Sequence, residues 1–357
     1  MLEVSRKGVR FGAVLPTLTT SVDQILDVAR ASEEAGFSSV WAGDSLVLEP
    51  GAKNVIEAWT ILTAAAMVTK RVHLGTCVTD PHRYHPAVLA QRLATIDQVS
   101  GGRVILGLGA GVAYDLEPFG IEWNKPVSRI VEAVKLMRRL WAGEKISYEG
   151  EFWKFKDASL QIKPIQSQVP IYFAANSPRT LRLTGELADG WLPETLSPEL
   201  YKKRLKLIEE AARKVGRASG DIDPGLLART SIADKAEDAY KRLDEVKYIL
   251  MFSPYKEVLE EAGYEVELPK ELSSLCYPKW FPTNEWKQKI TRYQELVPTE
   301  AAIEFSIAGT AHDCVDKIDE YVKAGAKHFI LLDAGNYKDQ SKVRELYRQE
   351  ILPRFAE

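Results

Sequence analysis

The chain of 357 residues sets 47 Lys and Arg against 50 Asp and Glu, a net charge of -3, with 45% hydrophobic residues. That balance is the balance of a globular protein, and it offers no overall attraction to nucleic acid or an anionic membrane. No apolar run reaches the roughly 18 residues of a membrane-spanning helix, the polar Met1 to Arg10 stretch does not read as a signal peptide, and three scattered cysteines (Cys77, Cys276, Cys314) fit a reducing cytoplasm better than a disulfide framework.

From the N-terminus, strand-like apolar runs alternate with amphipathic helices. Val9 to Pro16 reads as a strand, and Val22, Ile25, Leu26 and Ala29 mark a helical stripe ended by Gly36. Ser39 to Ala42 is the next strand. Helix over 56–69, strand over 71–78, helix over 86–99 and strand over 103–108 follow. Ile130, Val134, Met137 and Trp141 recur at helical spacing and line one face. Lys145 to Lys163 places a glycine turn between aromatic-rich runs and predicts a hairpin excursion, after which Val169 to Ala174 is again a strand. Three helix-to-strand joints, "EEAGFSSVWAGD", "GELADGWLP" and "KAGAKHFILLD", each offer a glycine to cap the helix in the left-handed conformation. Phe252 to Glu300 is rich in Pro, Tyr and Trp and lacks a period, so it predicts an insertion that covers the substrate, with Tyr255, Trp280 and Phe281 suited to a flat molecule, or that makes a dimer contact.

Strands are expected near 10–15, 39–43, 72–78, 103–108, 170–175, 190–193, 226–232 and 328–333. Strands alternating with helices make a parallel sheet, and eight such units favour closure. The expected fold is α/β: a single (β/α)8 TIM-type barrel domain over 1–357, with a hairpin excursion near 145–163 and an insertion near 252–300.

In such a barrel the chemistry sits where strands end. "AANSPRT" has Ser177 as N-cap and Pro178 in the first helical position, behind small Ala174 and Ala175; the helix start is either a phosphate site or an ordinary cap. "GLGAGVAYD" has Val112 where a dinucleotide fingerprint that starts at Gly107 and Gly109 needs its third glycine, and it follows the fourth strand, so the Rossmann reading fails. Its glycines let backbone approach a ligand or pack strand against helix. Asp44 closes the second strand, as a cap or as a ligand contact. His82 and His85 beside Asp80 have no second ligand cluster, so no metal is expected. Cys77 has no base specified beside it and reads as a small buried residue.

Together "SVWAGDS", "GTCVTDPHRYHPAVLAQRLATIDQVSGGRVILGLGAG" and "VPIYFAANSPRTLRLTGELADGW" resemble the bacterial luciferase-like superfamily, in its branch that uses the deazaflavin coenzyme F420. The resemblance runs through most of the chain apart from much of 252–300. Residues 119–145 look especially like the methylenetetrahydromethanopterin reductases, and "FSIAGT" before residue 312 is also similar. The resemblance implies a cytoplasmic oxidoreductase, a homodimer or homotetramer, that passes a hydride between C5 of the coenzyme and a small organic substrate such as a pterin. It implies no nucleic-acid or membrane partner; an FMN-dependent monooxygenase and a non-catalytic flavin-binding protein are the alternatives. Carried over residue by residue, it puts Asp44 near the ring, Cys77, Val78 and Thr79 behind it across a cis peptide bond between Cys77 and Val78, and Gly109, Ala110 and Gly111 beside it. Ala174, Ala175, Asn176 and Ser177 fall on the phosphate side. Three positions that handle protons in relatives are here Val14, Ser45 and Val112, which leaves Tyr114, Asp115 and Glu117 as the nearby candidates, with Glu117 and Asp44 as the expected catalytic pair.

Overall fold

The computed structural model describes residues 8–18, 21–47, 54–251, 255–267, 269, 288, 291–333 and 340–355. Strands β1 (Arg10–Val14), β2 (Ser39–Ala42), β3 (His73–Thr76) and β4 (Val104–Leu108) pair in parallel in chain order. Strands β5 (Ile146–Glu149) and β6 (Lys154–Ala158) form the separate antiparallel hairpin expected there. The sheet continues through β7 (Ile171–Phe173), β8 (Gly190–Trp191) and β9 (Asp223–Ile232), with β10 (Ile307–Gly309) beside β9. Strand β11 (His328–Asp333) lies between β9 and β1, and the β8–β9 pairing completes an eight-stranded closed parallel barrel. Helices α1 (Val22–Ala35), α2 (Ala58–Val68) and α3 (Pro86–Ser100) follow the first three strands, and α4 (Ala113–Leu116) and α5 (Pro126–Trp141) the fourth. Helices α6 (Pro178–Leu187) and α7 (Pro198–Lys214) flank the sixth, and α8 (Ala236–Tyr240), α9 (Asp244–Leu250) and α10 (Tyr255–Glu261) come after β9.

Local chemistry sets these elements. Ser21 and Gln24 form a capping box at the start of α1, and Gly36 ends it in the left-handed region at φ 96°. Helix α5 buries Ile130, Val134, Met137 and Trp141, the stripe its periodicity predicts. Among the described residues no helix is long and apolar enough to cross a membrane.

Two apolar layers result. Residues pointing out of the barrel pack under the helices, whereas Trp41, Ile105, Tyr172, Leu192, Leu227 and Ile330 fill its interior. Trp41 occupies so much of that interior that a Cβ on Gly75 would lie 2.4 Å from its ring. The floor, at the N-terminal ends of the strands, is polar but tied. Trp41 Nε1 donates to Ser39 Oγ at 2.8 Å, Ser39 Oγ lies 2.9 Å from His328 Nε2, and His328 Nδ1 lies 3.1 Å from Asp223 Oδ2. Arg10 closes the row on Asp223 at 2.5 Å. Serine, histidine and aspartate are in line here, but Ser39 is fully enclosed. This end of a barrel serves stability.

Two expectations are corrected, and a third is tested only in part. Gly190 does not cap α6, whose last residue is followed by extended Ala188; it lies inside β8, where a Cβ would meet the Tyr172 ring at 2.5 Å. Ile307–Gly309 adds a strand to β9 that the sequence pattern does not announce. About half of the insertion near 252–300 falls outside the described residues, including Trp280 and Phe281, as does the side chain of Tyr255. Its described parts are α10, a short turn at Gln294–Leu296 and helix α11 (Thr299–Glu304), with Val258, Leu259 and Val297 buried in the outer core.

Candidate active site

The C-terminal mouth of the barrel is shaped by a defect in β3. Before it, Leu74 pairs with Val104 and Gly75 with Ile105; after it, Thr79 pairs with Leu108. One extra residue has entered β3, a β-bulge. The peptide bond between Cys77 and Val78 is cis, as the resemblance implies. Cys77 N still donates to Ala42 O at 2.9 Å, and beyond the bulge Thr79 N reaches Gly107 O at 2.8 Å while Gly109 N reaches Thr79 O at 2.8 Å. Val78 thereby lies flat against β4: a Cβ on Gly109 would stand 2.5 Å from its methyl group. Burial pushes the Cys77 thiol up to about 12, with the Glu194 charge adding to it. A neutral thiol is a poor nucleophile.

Behind the bulge sits a buried ionic cluster. Thr79 Oγ1 donates to Asp44 Oδ2 at 2.8 Å and Arg83 Nη1 to Asp44 Oδ1 at 3.0 Å. Arg83 Nη2 also bonds the Asp44 carbonyl, and Arg83 Nε donates to Asp80 Oδ2 at 2.6 Å. Tyr84 Oη adds a bond to Asp44 at 3.3 Å. Burial raises the Asp44 carboxyl above its ordinary range, against the pull of Arg83 and Thr79. Burial works on Asp80 in the same sense, but His82 and Arg83 outweigh it and hold that carboxyl at about 2. Asp44 is therefore a knot beneath the mouth that fixes the β2 and β3 ends relative to each other.

The two histidines of the loop have separate tasks. His82 Nε2 lies 3.2 Å from Asn124 O, and His85 caps α3 by accepting from Ala87 N at 3.3 Å while its ring packs 5.5 Å from Phe155.

Across the bulge, Trp123 Nε1 holds the carbonyls of Ala110 and Gly111 at 3.0 and 3.1 Å, and Gly111 takes φ 67° over Asp80. Ala174, at the end of β7, is exposed to the open mouth, whereas Ala175 is buried and its carbonyl accepts from Trp191 Nε1 at 2.8 Å. Asn176 meets Arg204 Nη1 at 3.4 Å. Ser177 is engaged in its own helix: it accepts from Thr180 N, and Thr180 Oγ1 accepts from Ser177 N. The ordinary cap is thus made, and Arg179, 3.1 Å from Ser128 Oγ, is a second cation at that lip beside Arg204.

The structure brings Asp44, Cys77 to Thr79, Gly109 to Gly111 and Ala174 to Ser177 to the C-terminal ends of the strands, and Glu117 follows on the connection after β4. That residue is exposed on the turn Glu117–Phe119, while neighbouring Asp115 is buried and accepts from Leu46 N and Val47 N at 2.8 and 2.7 Å. Of the positions to which the sequence resemblance alone gave a proton-handling part, Val14 packs at the edge of the interior cluster and Val112 precedes α4.

Sequence reading missed one charged pair. Leu227 points into the barrel; Arg229, two residues on in β9, turns to the same side, and Glu194 joins them through its parallel bridge to Leu227. Glu194 pairs with Arg229 Nη2 at 2.7 Å, and Arg229 Nη1 reaches Glu245 at 2.6 Å. The available signal was an acid two residues beyond an inward leucine at a strand end. It went unread because β8 has two residues and shows no alternation of its own.

The sequence model of the luciferase-like monooxygenases matches residues 9–328. An F420-dependent glucose-6-phosphate dehydrogenase of Microbacterium testaceum is 32% identical over 354 residues, 97% of either chain. A 5,10-methylenetetrahydromethanopterin reductase of Archaeoglobus fulgidus is 32% identical over 331 residues, 91% of this chain and 94% of the other. In structure, the coenzyme F420 dependent tetrahydromethanopterin reductase of Methanopyrus kandleri superposes with a TM-score of 0.83 at 27% identity, covering 98% of this chain and 99% of that one.

Proposed function

The chain belongs to the luciferase-like monooxygenase family, and from that premise we propose that it is an oxidoreductase using coenzyme F420 to exchange a hydride with a small organic molecule. The observation that carries this reading is the bulge at Cys77–Thr79 laid against Gly109, a flat wall at the mouth with apolar Val78 on its face. A planar tricyclic ring is the kind of ligand such a wall fits. Val78 and Gly109 to Gly111 would back the ring, the Asp44–Arg83–Asp80 knot would keep the wall rigid, and Ala174 to Ser177 with Arg179 would take the phosphate side. Bound there, the deazaflavin supplies a hydride donor or acceptor at C5. The chain's own task is to hold two reaction centres in register and keep water away.

The likeness of residues 119–145 to methylenetetrahydromethanopterin reductases does not choose a pterin as substrate. Most of that stretch is α5, whose inner face is packed in the outer core. It describes the scaffold. FMN-dependent oxygen chemistry is the competing reading of the same mouth.

Gly109→Ala tests the assignment. The new methyl would displace Val78, so F420 affinity is expected to fall more than tenfold in a fluorescence titration. The overpacking should cost about 1–3 kcal/mol of stability. Unchanged affinity would place the ring elsewhere.

A further inference from the structure

We propose that Glu194 is the residue that takes and returns the substrate's hydroxyl proton, and that the substrate is an apolar alcohol or its carbonyl partner. The proposal rests on the hydride reading above and names the substrate class for that same mouth.

The placement comes from the backbone. Glu194 bridges to Leu227 at the rim between β8 and β9, and Leu227 N holds the carbonyl just before it, Pro193 O, at 2.9 Å. The next residue, Thr195, has φ 55°. A β-branched side chain occupies the left-handed region only where its surroundings enforce it, and such outliers gather at functional sites. The surroundings are built to do so. Tyr321 donates to Leu196 O at 2.6 Å from one side, and Trp191 is pinned to Ala175 O from the other. The chain thus turns sharply at Thr195 and leaves Glu194 at the lip, with Arg229 fixing the carboxylate from β9.

The chemistry follows from what shares the mouth. Val14, Cys77, Val78 and Leu332 fringe the interior cluster, so the reacting centre meets an apolar wall. Asp44 and Asp80 are committed to Arg83, and Asp115 to two backbone amides. Glu194, held by Arg229 and in register with inward Leu227, faces this wall, and after burial its charge is the second cause that raises the Cys77 thiol. In the oxidising direction the substrate C–H bond breaks and its electron pair leaves as hydride to the oxidised coenzyme. The O–H bond breaks, its proton passes to a Glu194 oxygen, and the carbon–oxygen bond becomes double. The alcohol loses two electrons, the coenzyme gains them, and Glu194 then yields its proton to solvent. Reduction runs the same path backwards. A pure hydride acceptor, such as an iminium carbon, would need no such group.

The rival explanation is an ion pair that only ties β8 to β9. Glu194→Gln in the full-length chain separates the two, since the amide can still accept from Arg229. Three measurements are made on wild type, Glu194→Gln and Glu194→Asp. The first is F420 binding by fluorescence. The second is iodoacetamide alkylation of Cys77 in coenzyme-free protein at fixed alkaline pH, followed by peptide mass. The third is hydride transfer with 2-propanol and cyclohexanol, and with acetone and cyclohexanone in reverse. The proposal expects F420 affinity to be kept, Cys77 to be alkylated several-fold faster in Glu194→Gln, turnover of these alcohols to fall about 100-fold or more, and Glu194→Asp to recover part of it. An alkylation rate unchanged by Glu194→Gln would show that the carboxylate does not face the mouth and would overturn the proposal. So would alcohol turnover that survives Glu194→Gln, or a wild type that binds F420 and turns over none of these probes. Failure of the wild type to bind F420 is a different result: it removes the hydride reading itself.

Discussion

The residues that matter most at the mouth are held by one arginine. Arg83 bonds both carboxylates of the knot and the Asp44 carbonyl, and its fork geometry is what a lysine cannot reproduce. Removing it leaves Asp44 and Asp80 buried side by side without their cation. We expect Arg83→Ala to cost about 3–5 kcal/mol in urea unfolding and Arg83→Lys a large part of that. A loss within the range of a surface ion pair, about 1 kcal/mol or less, would show that the knot contributes little. Asp44 stood out in the sequence because it closes a strand. Arg83 did not, because its partners lie across a loop with no period. The sequence also left Asp44 open as a ligand contact or a cap, and it is bound on its carboxylate by Thr79, Arg83 and Tyr84. Its substitution should therefore lower stability as well as turnover. Glu117 was favoured for nearness along the chain, whereas the three-dimensional neighbour with a buried role is Asp115.

At the scale of elements, the hairpin β5–β6 was legible as a glycine turn between aromatic runs, but its anchor was not. Buried Glu132 of α5 accepts from Glu151 N at 3.1 Å, Phe152 N at 3.2 Å and Trp153 N at 3.0 Å, which seats the turn on the helix. Arg129 adds its guanidinium 4.3 Å above the Phe152 ring. A carboxylate receiving three amides is worth more than a neutral acceptor. Glu132→Gln is expected to cost about 1–3 kcal/mol and to speed amide exchange at 151–153 ahead of the barrel strands. Equal exchange in both proteins would mean the turn holds itself. The joint at Gly190 teaches the converse. A glycine after a helix suggests a cap, yet here it makes room for the Tyr172 ring inside the barrel, a contact that lies across the sheet and leaves no local trace.

Across the whole molecule, the eight barrel strands and their closure could be read from the alternation of strands with helices, whereas the short added strand Ile307–Gly309 could not. The floor network could not, since Arg10, Ser39, Asp223 and His328 come from four separated strands. That network gives the molecule an acid response. Burial works to raise Asp223, but His328, Arg10 and Tyr172 hold it down at about 2, the same value as Asp80. A carboxyl depressed in the folded state stabilises fully above its unfolded pKa of about 3.9 and loses that contribution as pH falls through its folded value. Stability should therefore decline between about pH 5 and pH 2, by on the order of 2 kcal/mol for each of the two groups. Asp223→Asn should flatten that decline in pH-dependent urea titrations, and an unchanged slope would assign the acid response to other carboxyls. The central claim, that the mouth is shaped for a deazaflavin, is tested most directly by equilibrium dialysis of the full-length chain against coenzyme F420 and against FMN under the same conditions. The account predicts saturable binding of F420 and no tight binding of FMN; FMN bound as tightly as F420, or more tightly, would contradict it.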